Sequence, residues 1–176
     1  MDNNFVNSLY TEMKDGSSST LKAVHLSDIH LDDTYKVGTL VDCGMDETGC
    51  CREAYGYPKK GQQGAREWGE YDCDTPEKTV ENTLDYIANV VKPDILFWTG
   101  DNSPHDTWEQ SNELVANYTI KLTQMIKDKF ASTGTTIVPI QGNHDTWPVD
   151  LESFEAPGAN VPINHFKQYW SDWLDE

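Results

Sequence analysis

The sequence has few basic residues and no long apolar segment. Lys and Arg number 13 against 30 Asp and Glu, which gives a formal net charge of −17. A surface with this excess of negative charge repels a phosphate backbone, so we do not expect duplex nucleic acid as a partner. No apolar run approaches the length of a membrane span. Residues 1–20 are polar and lack the apolar centre of a signal peptide, and we expect them to form a flexible leader.

Cysteine is scarce, and all of it lies in one loop-rich stretch. The four residues are Cys43, Cys50, Cys51 and Cys73. Zinc-finger ligation is disfavoured because there is no C-x-x-C pair and no His at finger spacing. A bond between the neighbours Cys50 and Cys51 would strain the peptide, so each is expected to pair with Cys43 or Cys73. Disulfides favour an oxidising compartment, and Asn117 begins an Asn-Tyr-Thr glycosylation acceptor site. We therefore predict a secreted or lysosomal glycoprotein whose signal segment lies outside this sequence.

Apolar runs alternate with amphipathic segments along the chain. Strands are predicted at residues 21–26, 95–99 and 136–140. Helices are predicted from a cap at Asp74 or Thr75 to Val91, from Ser111 to Phe130, and from Asn164 to Leu174. This order predicts an α/β layered fold with a mostly parallel sheet and right-handed crossovers. The run 95–98 is apolar throughout, which predicts a strand covered on both faces. The long irregular segment 32–74 is expected to be cross-linked by its cysteines.

Three short motifs follow the three predicted strands. They are Asp28-Ile29-His30, Gly100-Asp101-Asn102 and Gly142-Asn143-His144-Asp145. Each motif alone is compatible with ordinary turn chemistry, as for an Asp or a Gly-Asn pair in a tight turn. Together they place carboxylate, amide and imidazole groups at the carboxyl ends of successive strands, where open α/β sheets bind ligands. The combination predicts a metal site at that edge of the sheet.

Each motif residue has a chemical role that suits such a site. Asp28 and His30 are two apart, so in an extended strand both would point to the same face and offer one oxygen and one nitrogen ligand to Zn, Mn or Fe. Gly100 allows a sharp turn, after which Asp101 is positioned to bridge two metals. Asn143 offers a neutral carbonyl oxygen, and the adjacent His144 points elsewhere and can carry a proton.

The remaining histidines are separated by their surroundings. His105, four residues after Asp101, is a candidate to stabilise a phosphate or donate a proton, although alone it would be an ordinary surface His. His25, inside the first strand, is expected to be a hydrogen-bonded core residue. No catalytic role is expected for His165 in the last helix.

The motifs also carry a family resemblance. D-x-H, then G-D, then G-N-H-D is similar to the first half of the signature of the calcineurin-like metallophosphoesterases. Further segments resemble the acid sphingomyelinase family within that group: Trp98-Thr99-Gly100-Asp101, His105-Asp106, Cys50-Cys51-Arg52 and Trp68-Gly69-Glu70-Tyr71. The resemblance covers residues 21–176 and implies the amino-terminal half of a metallophosphoesterase catalytic domain, with a sheet flanked by helices.

The resemblance implies a two-zinc phosphodiesterase. Asp28 and His30 would bind one zinc, Asp101 would bridge both, and Asn143 would bind the other. His144 would protonate the leaving alkoxide, with His105 stabilising the phosphate or sharing that role. The expected reaction is hydrolysis of sphingomyelin to ceramide and phosphocholine, or of a related phosphodiester. The resemblance also implies disulfides Cys43–Cys50 and Cys51–Cys73.

The sequence departs from the family pattern after His144. A Gly-His motif and a later G-H-x-H motif, which supply further ligands in the family, do not occur. The missing carboxy-terminal half or a complementing chain is therefore an expected partner, beside a lipid or small-molecule phosphodiester substrate and transient contact with a membrane surface. The alternative is a truncated, non-catalytic paralogue that acts as a binding or structural subunit.

Overall fold

The computed structural model describes residues 20–44, 48–152 and 161–174, so the predicted leader lies outside it except for Thr20. Its strands are β1 (Ala23–Leu26), β2 (Leu31–Asp32), β3 (Thr75–Pro76), β4 (Ile95–Trp98) and β5 (Thr136–Pro139). Its α-helices are α1 (Glu77–Tyr86), α2 (Asn112–Phe130) and α3 (Val161–Tyr169). A π-helical turn (Ile87–Val91) continues α1, and short 3-10 turns span Glu53–Tyr55, Thr107–Glu109 and Asn143–Asp145. The predicted α/β class is confirmed.

The main sheet has the parallel strand order β1-β4-β5. The strands are added in chain order, and right-handed crossovers in one direction place all their helices on the same face. Val24, Leu96 and Ile137 are paired across the sheet and point toward that face. Leu96 and Ile137 belong to one core cluster with buried residues of α1, α2 and α3. The core therefore lies between one side of the sheet and the helices.

The opposite face of the sheet is open among the described residues. His25, Phe97 and Val138 are in register across it, and Phe97 is 38% exposed. The prediction that the run 95–98 is covered on both faces is therefore wrong here, since only Leu96 and Trp98 are buried. His25 is likewise not a core residue: it lies on this open face, where its Nε2 pairs with Thr99 Oγ1 at 2.8 Å.

The helix boundaries follow local capping and packing. Ser111, where the second helix was predicted to begin, is the N-cap of α2, and its Oγ accepts a hydrogen bond from the Leu114 backbone N–H at 3.2 Å. At α1 the prediction is wrong, because Pro76 holds the N-cap position and neither Asp74 nor Thr75 caps the helix. The last helix begins at Val161 and ends at Tyr169, not at Leu174. None of the helices in the described ranges is long and apolar enough to cross a bilayer.

Strands β2 and β3 form a separate two-stranded parallel sheet, and a disulfide-linked segment connects them. It leaves β2 at Asp32 and returns to β3 at Thr75. Two disulfides hold it, Cys43–Cys50 and Cys51–Cys73, with Cα–Cα distances of 5.7 and 6.1 Å. The pairing implied by the resemblance is thus confirmed. The two short strands were not predicted, since two residues carry no detectable alternation.

Candidate metal centre

The loop after β1 places two candidate ligands in left-handed backbone conformations. Asp28 has φ 54° and His30 has φ 39°, so neither lies in an extended strand, and the predicted reason for their shared direction is wrong. Backbone hydrogen bonds hold the loop: Asp28 N–H donates to Gly100 O at 3.2 Å and His30 N–H to Asp101 O at 2.9 Å. Asp28 Oδ1 and His30 Nε2 nevertheless lie 4.0 Å apart. Such left-handed residues cost about 1–3 kcal/mol each and are concentrated at functional sites.

The loops after β4 and β5 pack backbone against backbone. Gly100 has φ 82°, and a Cβ there would fall on Gly142 N and Asp145 Oδ2. A Cβ at Gly142 would in turn fall on the Asp101 carboxylate. Only glycine permits this approach. The two glycines of the motifs therefore bring Asp101 and Asn143 to the same place at the sheet edge.

Asp145, the last residue of the third motif, fastens these two loops together. Its fully buried carboxylate accepts hydrogen bonds from the backbone N–H groups of Gly142 at 2.8 Å, Asp101 at 3.0 Å and Asn102 at 2.9 Å. Burial raises the pKa of Asp145 to about 6, although the three N–H donors act in the opposite direction. Asp145 thus positions the loops and does not face the site as a ligand.

One oxygen of Asp28, one ring nitrogen of His30 and one oxygen of Asp101 all lie within 4.8 Å of one another. His30 Nδ1 lies 2.8 Å from the Ser103 backbone O, so Nδ1 carries the proton and Nε2 is left as a lone-pair donor. Burial is the main cause that lowers the pKa of His30, and this keeps the imidazole neutral. A neutral imidazole with two carboxylates is a ligand set suited to a divalent transition metal.

Two further imidazoles stand beside His30. The His105 ring lies against it with ring centroids 3.8 Å apart, and the His144 ring meets it edge-on at 5.0 Å. His105 and His144 are themselves 4.9 Å apart. The structure thus brings together both histidines that the sequence proposed for proton transfer.

Asp74 orients His105. The Asp74 side chain is 1% exposed, and its carboxylate contacts His105 Nδ1 at 2.6 Å, His105 N at 2.8 Å and Thr48 Oγ1 at 2.8 Å. An Nδ1–H donated to Asp74 fixes the His105 ring in one orientation beside His30. No sequence pattern indicates this role, since the position of Asp74 before an amphipathic segment predicts only a helix cap. Its only marker is its position directly after Cys73.

His144 and Asn143 occupy the turn after β5. His144 N–H donates to Asp101 Oδ1 at 2.9 Å, and the His144 backbone O accepts from Ser103 Oγ at 2.7 Å. The buried His144 Nδ1 has no hydrogen-bond partner among the described residues. The Asn143 side chain is exposed at the same edge. Both predicted residues therefore flank the ligand cluster.

A buried ion triad lies behind the site. Arg52 Nε contacts Asp32 Oδ2 at 2.7 Å, and its Nη1 contacts Asp106 Oδ2. Burial opposes the charged guanidinium, but the two carboxylates outweigh it and raise the pKa of Arg52. Asp32 is in β2 just after His30, and Asp106 directly follows His105. Arg52, itself next to Cys51, therefore ties the disulfide-linked segment to both sides of the site.

A small cavity of about 160 Å³ opens beside Asp28. Half of its lining is apolar (Leu26, Ile29, Val80 and Leu84) and half is polar (Ser27, Asp28, Thr75 and Thr83). The predicted glycosylation residue Asn117 is exposed in the middle of α2, away from these loops in the sequence. His165 is on α3, where its ring stacks with Tyr169 at 6.4 Å.

Comparison with known proteins agrees with this arrangement. The family model described as calcineurin-like phosphoesterase matches residues 21–175. Sphingomyelin phosphodiesterase B of Dictyostelium discoideum is 41% identical over 162 residues, covering 90% of this chain and 24% of that protein. The sphingomyelin phosphodiesterase of Homo sapiens is 32% identical over 162 residues, covering 87% of this chain and 24% of that protein.

Another relative bears a different substrate in its name. Cyclic GMP-AMP phosphodiesterase SMPDL3A of Bos taurus is 32% identical over 155 residues, covering 86% of this chain and 31% of that protein. The chain spans about a quarter of the length of the sphingomyelin phosphodiesterases that it matches. Since the family model extends over nearly the whole chain and includes all three strand-end motifs, the chain belongs to the calcineurin-like phosphoesterase family.

Proposed function

We propose that this chain provides half of the active site for metal-dependent hydrolysis of a phosphodiester, of the sphingomyelin phosphodiesterase type. The observation that carries the proposal is the convergence of Asp28, His30 and Asp101 within 4.8 Å, beside two imidazoles. The names of the similar proteins support sphingomyelin as the substrate. Its products would be ceramide and phosphocholine.

The residues present fit a divalent metal pair. Asp28 and His30 would hold one ion, Asp101 would bridge both, and Asn143 would hold the other. Zinc suits this mixture of oxygen and nitrogen donors, and Mn or Fe would also be accepted. When bound, such a pair lowers the pKa of water and neutralises charge on the phosphoryl oxygens. Further ligands would come from the rest of a longer protein or from a complementing chain.

The imidazoles of His105 and His144 would transfer a proton and stabilise charge on the phosphate. Asp74 accepts the Nδ1–H of His105 and so orients its ring beside His30, where the imidazole would stabilise the phosphate. The His144 backbone N–H donates to Asp101, and the ring of His144 would protonate the leaving alkoxide. Proton transfer by a positioned group of this kind contributes about a hundredfold or more to the rate.

The cavity beside Asp28 supports a substrate with a nonpolar portion, because four of its lining side chains are apolar. It begins at Asp28, so an apolar group that entered it would lie next to the candidate metal ligands. This favours a lipid phosphodiester as the substrate. The name of the cyclic GMP-AMP phosphodiesterase relative supports a small-molecule phosphodiester as the alternative. The two disulfides support secretion or a lysosomal location.

The first test combines metal content with turnover. Purified chain would be dialysed, analysed for zinc, and assayed for phosphocholine release from sphingomyelin and for hydrolysis of bis(p-nitrophenyl) phosphate, alone and with the remaining part of its parent protein. Asp101→Asn is expected to lose metal and activity together. Asp85→Asn, an exposed residue paired with Lys129 at 2.8 Å, is the matched control and should change neither.

Each outcome decides between the alternatives. Near-normal turnover in Asp101→Asn would show that Asp101 is not the bridging ligand. Bound metal with no hydrolysis of either diester in any combination would overturn the enzymatic proposal. That result would favour the non-catalytic subunit, which none of the contacts described above favours.

A further inference from the structure

We infer that His30, Asp74 and His105 form a second position for a divalent metal ion, which competes with the candidate metal centre for His30. One ring nitrogen of each histidine and one carboxylate oxygen of Asp74 all lie within 4.8 Å of one another. Within the described ranges, the other group of this kind is the candidate metal centre of Asp28, His30 and Asp101. Two possible ion positions therefore depend on one imidazole, that of His30.

Hydrogen bonds hold the three side chains of this second position. The His30 and His105 rings lie with centroids 3.8 Å apart, and His30 Nδ1 donates to Ser103 O at 2.8 Å. The Asp74 carboxylate contacts His105 Nδ1 at 2.6 Å and accepts from Thr48 Oγ1 at 2.8 Å. Outer hydrogen bonds of this kind are what orient histidines and carboxylates that bind metals. The second position is therefore ordered before an ion arrives.

An ion would take the place of the proton that His105 Nδ1 donates to Asp74, and that proton would be released to water. Two donor atoms on a tetrahedral zinc ion lie about 3.3 Å apart, since each bond is about 2.0–2.1 Å long. His105 Nδ1 and Asp74 Oδ1 are 2.6 Å apart, so they would have to separate by about 0.7 Å. The His105 side chain is 30% exposed, which leaves a route for the ion and for water as the fourth ligand.

The two metal positions exclude each other. His30 Nδ1 carries the proton donated to Ser103 O, so His30 can offer an ion only the lone pair of Nε2. One lone pair binds one ion at a time, and Nε2 lies 4.0 Å from Asp28 Oδ1 of the candidate metal centre. An ion held by Asp74 and His105 would therefore withdraw His30 from that centre.

The two positions differ in charge and in donor type. The candidate metal centre has two carboxylates and one imidazole, whereas the second position has one carboxylate and two imidazoles. The smaller negative charge attracts a dication less strongly, so the second position fills when metal is in excess and empties on dialysis. Its imidazoles favour Cu and Zn over Mn or Mg. An excess of Cu or Zn would inhibit hydrolysis, and this consequence, unlike the binding itself, rests on the proposed function.

The binding test uses Cu²⁺ as the probe and electron paramagnetic resonance to count the imidazoles coordinated to it. The parent for this test is the purified Asp28→Asn chain, in which the candidate metal centre is weakened at an exposed residue. We expect copper bound through two imidazoles. Adding His105→Gln should leave one imidazole or none, whereas the control His165→Gln, on α3, should leave two. Circular dichroism would verify that each variant is folded.

A further variant keeps both imidazoles and removes the carboxylate. Asp74→Asn, made in the same Asp28→Asn chain, should weaken copper binding about tenfold or more. Unchanged affinity in that variant, a single imidazole in the parent, or two imidazoles that persist in His105→Gln would overturn the inference. So would a third imidazole that disappears in His144→Gln, since the ion would then lie among three histidines and not beside Asp74.

The kinetic test measures hydrolysis of bis(p-nitrophenyl) phosphate by the chain together with the remaining part of its parent protein. Zinc added beyond the concentration that saturates turnover should inhibit, and Asp74→Asn should raise the half-inhibiting concentration about tenfold or more. Equal inhibition of both proteins would overturn the inhibitory role. An absence of hydrolysis in every sample would count against the proposed function instead, and the copper spectra would still decide whether the second position binds metal.

Discussion

Replacing Arg52 by Ala is expected to destabilise the protein by about 3–5 kcal/mol, because it leaves two buried carboxylates without their counterion. The Arg52 side chain is 6% exposed, and those of Asp32 and Asp106 are 0% and 9% exposed. Water therefore cannot replace the guanidinium. Removing one partner of a buried ion pair lowers the free energy of unfolding by far more than the intact pair contributes, because the remaining charges stay buried in a medium of low polarity.

The assay is urea unfolding followed by circular dichroism, with a chelator present so that metal binding does not add to stability. At a slope of about 2 kcal/mol per M, the midpoint should fall by about 2 M. Arg66→Ala is the matched control: Arg66 forms an ion pair with Glu70 at the surface, and its loss should leave the midpoint nearly unchanged.

A midpoint for Arg52→Ala within about 0.5 M of the parent value would refute this reasoning. An equal loss in Arg66→Ala would also refute it, since that surface pair leaves no buried carboxylate without its counterion.

Other predictions concern the site itself. Asp74→Asn should leave metal content unchanged but slow hydrolysis about tenfold or more, because His105 would lose its orientation. Restored turnover in Asp74→Glu would contradict this reasoning, since the longer side chain should not reproduce all three contacts of Asp74. His144→Ala should retain metal and lose about a hundredfold in turnover; equal loss of metal would reassign His144 as a ligand. Gly100→Ala should lower the melting temperature and metal content together, because its Cβ would displace Gly142, whereas Gly61→Ala, which has open space around it, should affect metal content little.

Much of the fold was predictable because strand and helix signals are local. The predicted strands at 95–99 and 136–140 are each one residue longer than β4 and β5. The predicted helix at 111–130 begins one residue earlier than α2, and its end at Phe130 is confirmed. The open face of the sheet was not predictable from the apolar run at 95–98. An apolar run shows that a strand could be buried on both faces, but the described residues cover only one face of β4.

The candidate site, like the fold, was only partly predictable from the sequence. Motif spacing identified Asp28, His30 and Asp101, which converge in space, because glycines and strand ends leave a recognisable pattern. Asp74 and Arg52 could not be found by pattern, since each acts across the chain: Asp74 lies 31 residues from His105, and Arg52 lies 54 from Asp106. Contacts of that kind arise only from the path of the disulfide-linked segment.

The backbone around His30 is bonded on every side. Its N–H donates to Asp101 O at 2.9 Å, its carbonyl accepts from Thr75 N–H at 3.0 Å, and its ring bonds Ser103 O. His30 is therefore held through both its backbone and its ring, and its amide should exchange with deuterium only when the sheet itself unfolds. Under the proposed function, a substrate would meet a ligand whose orientation is set before binding.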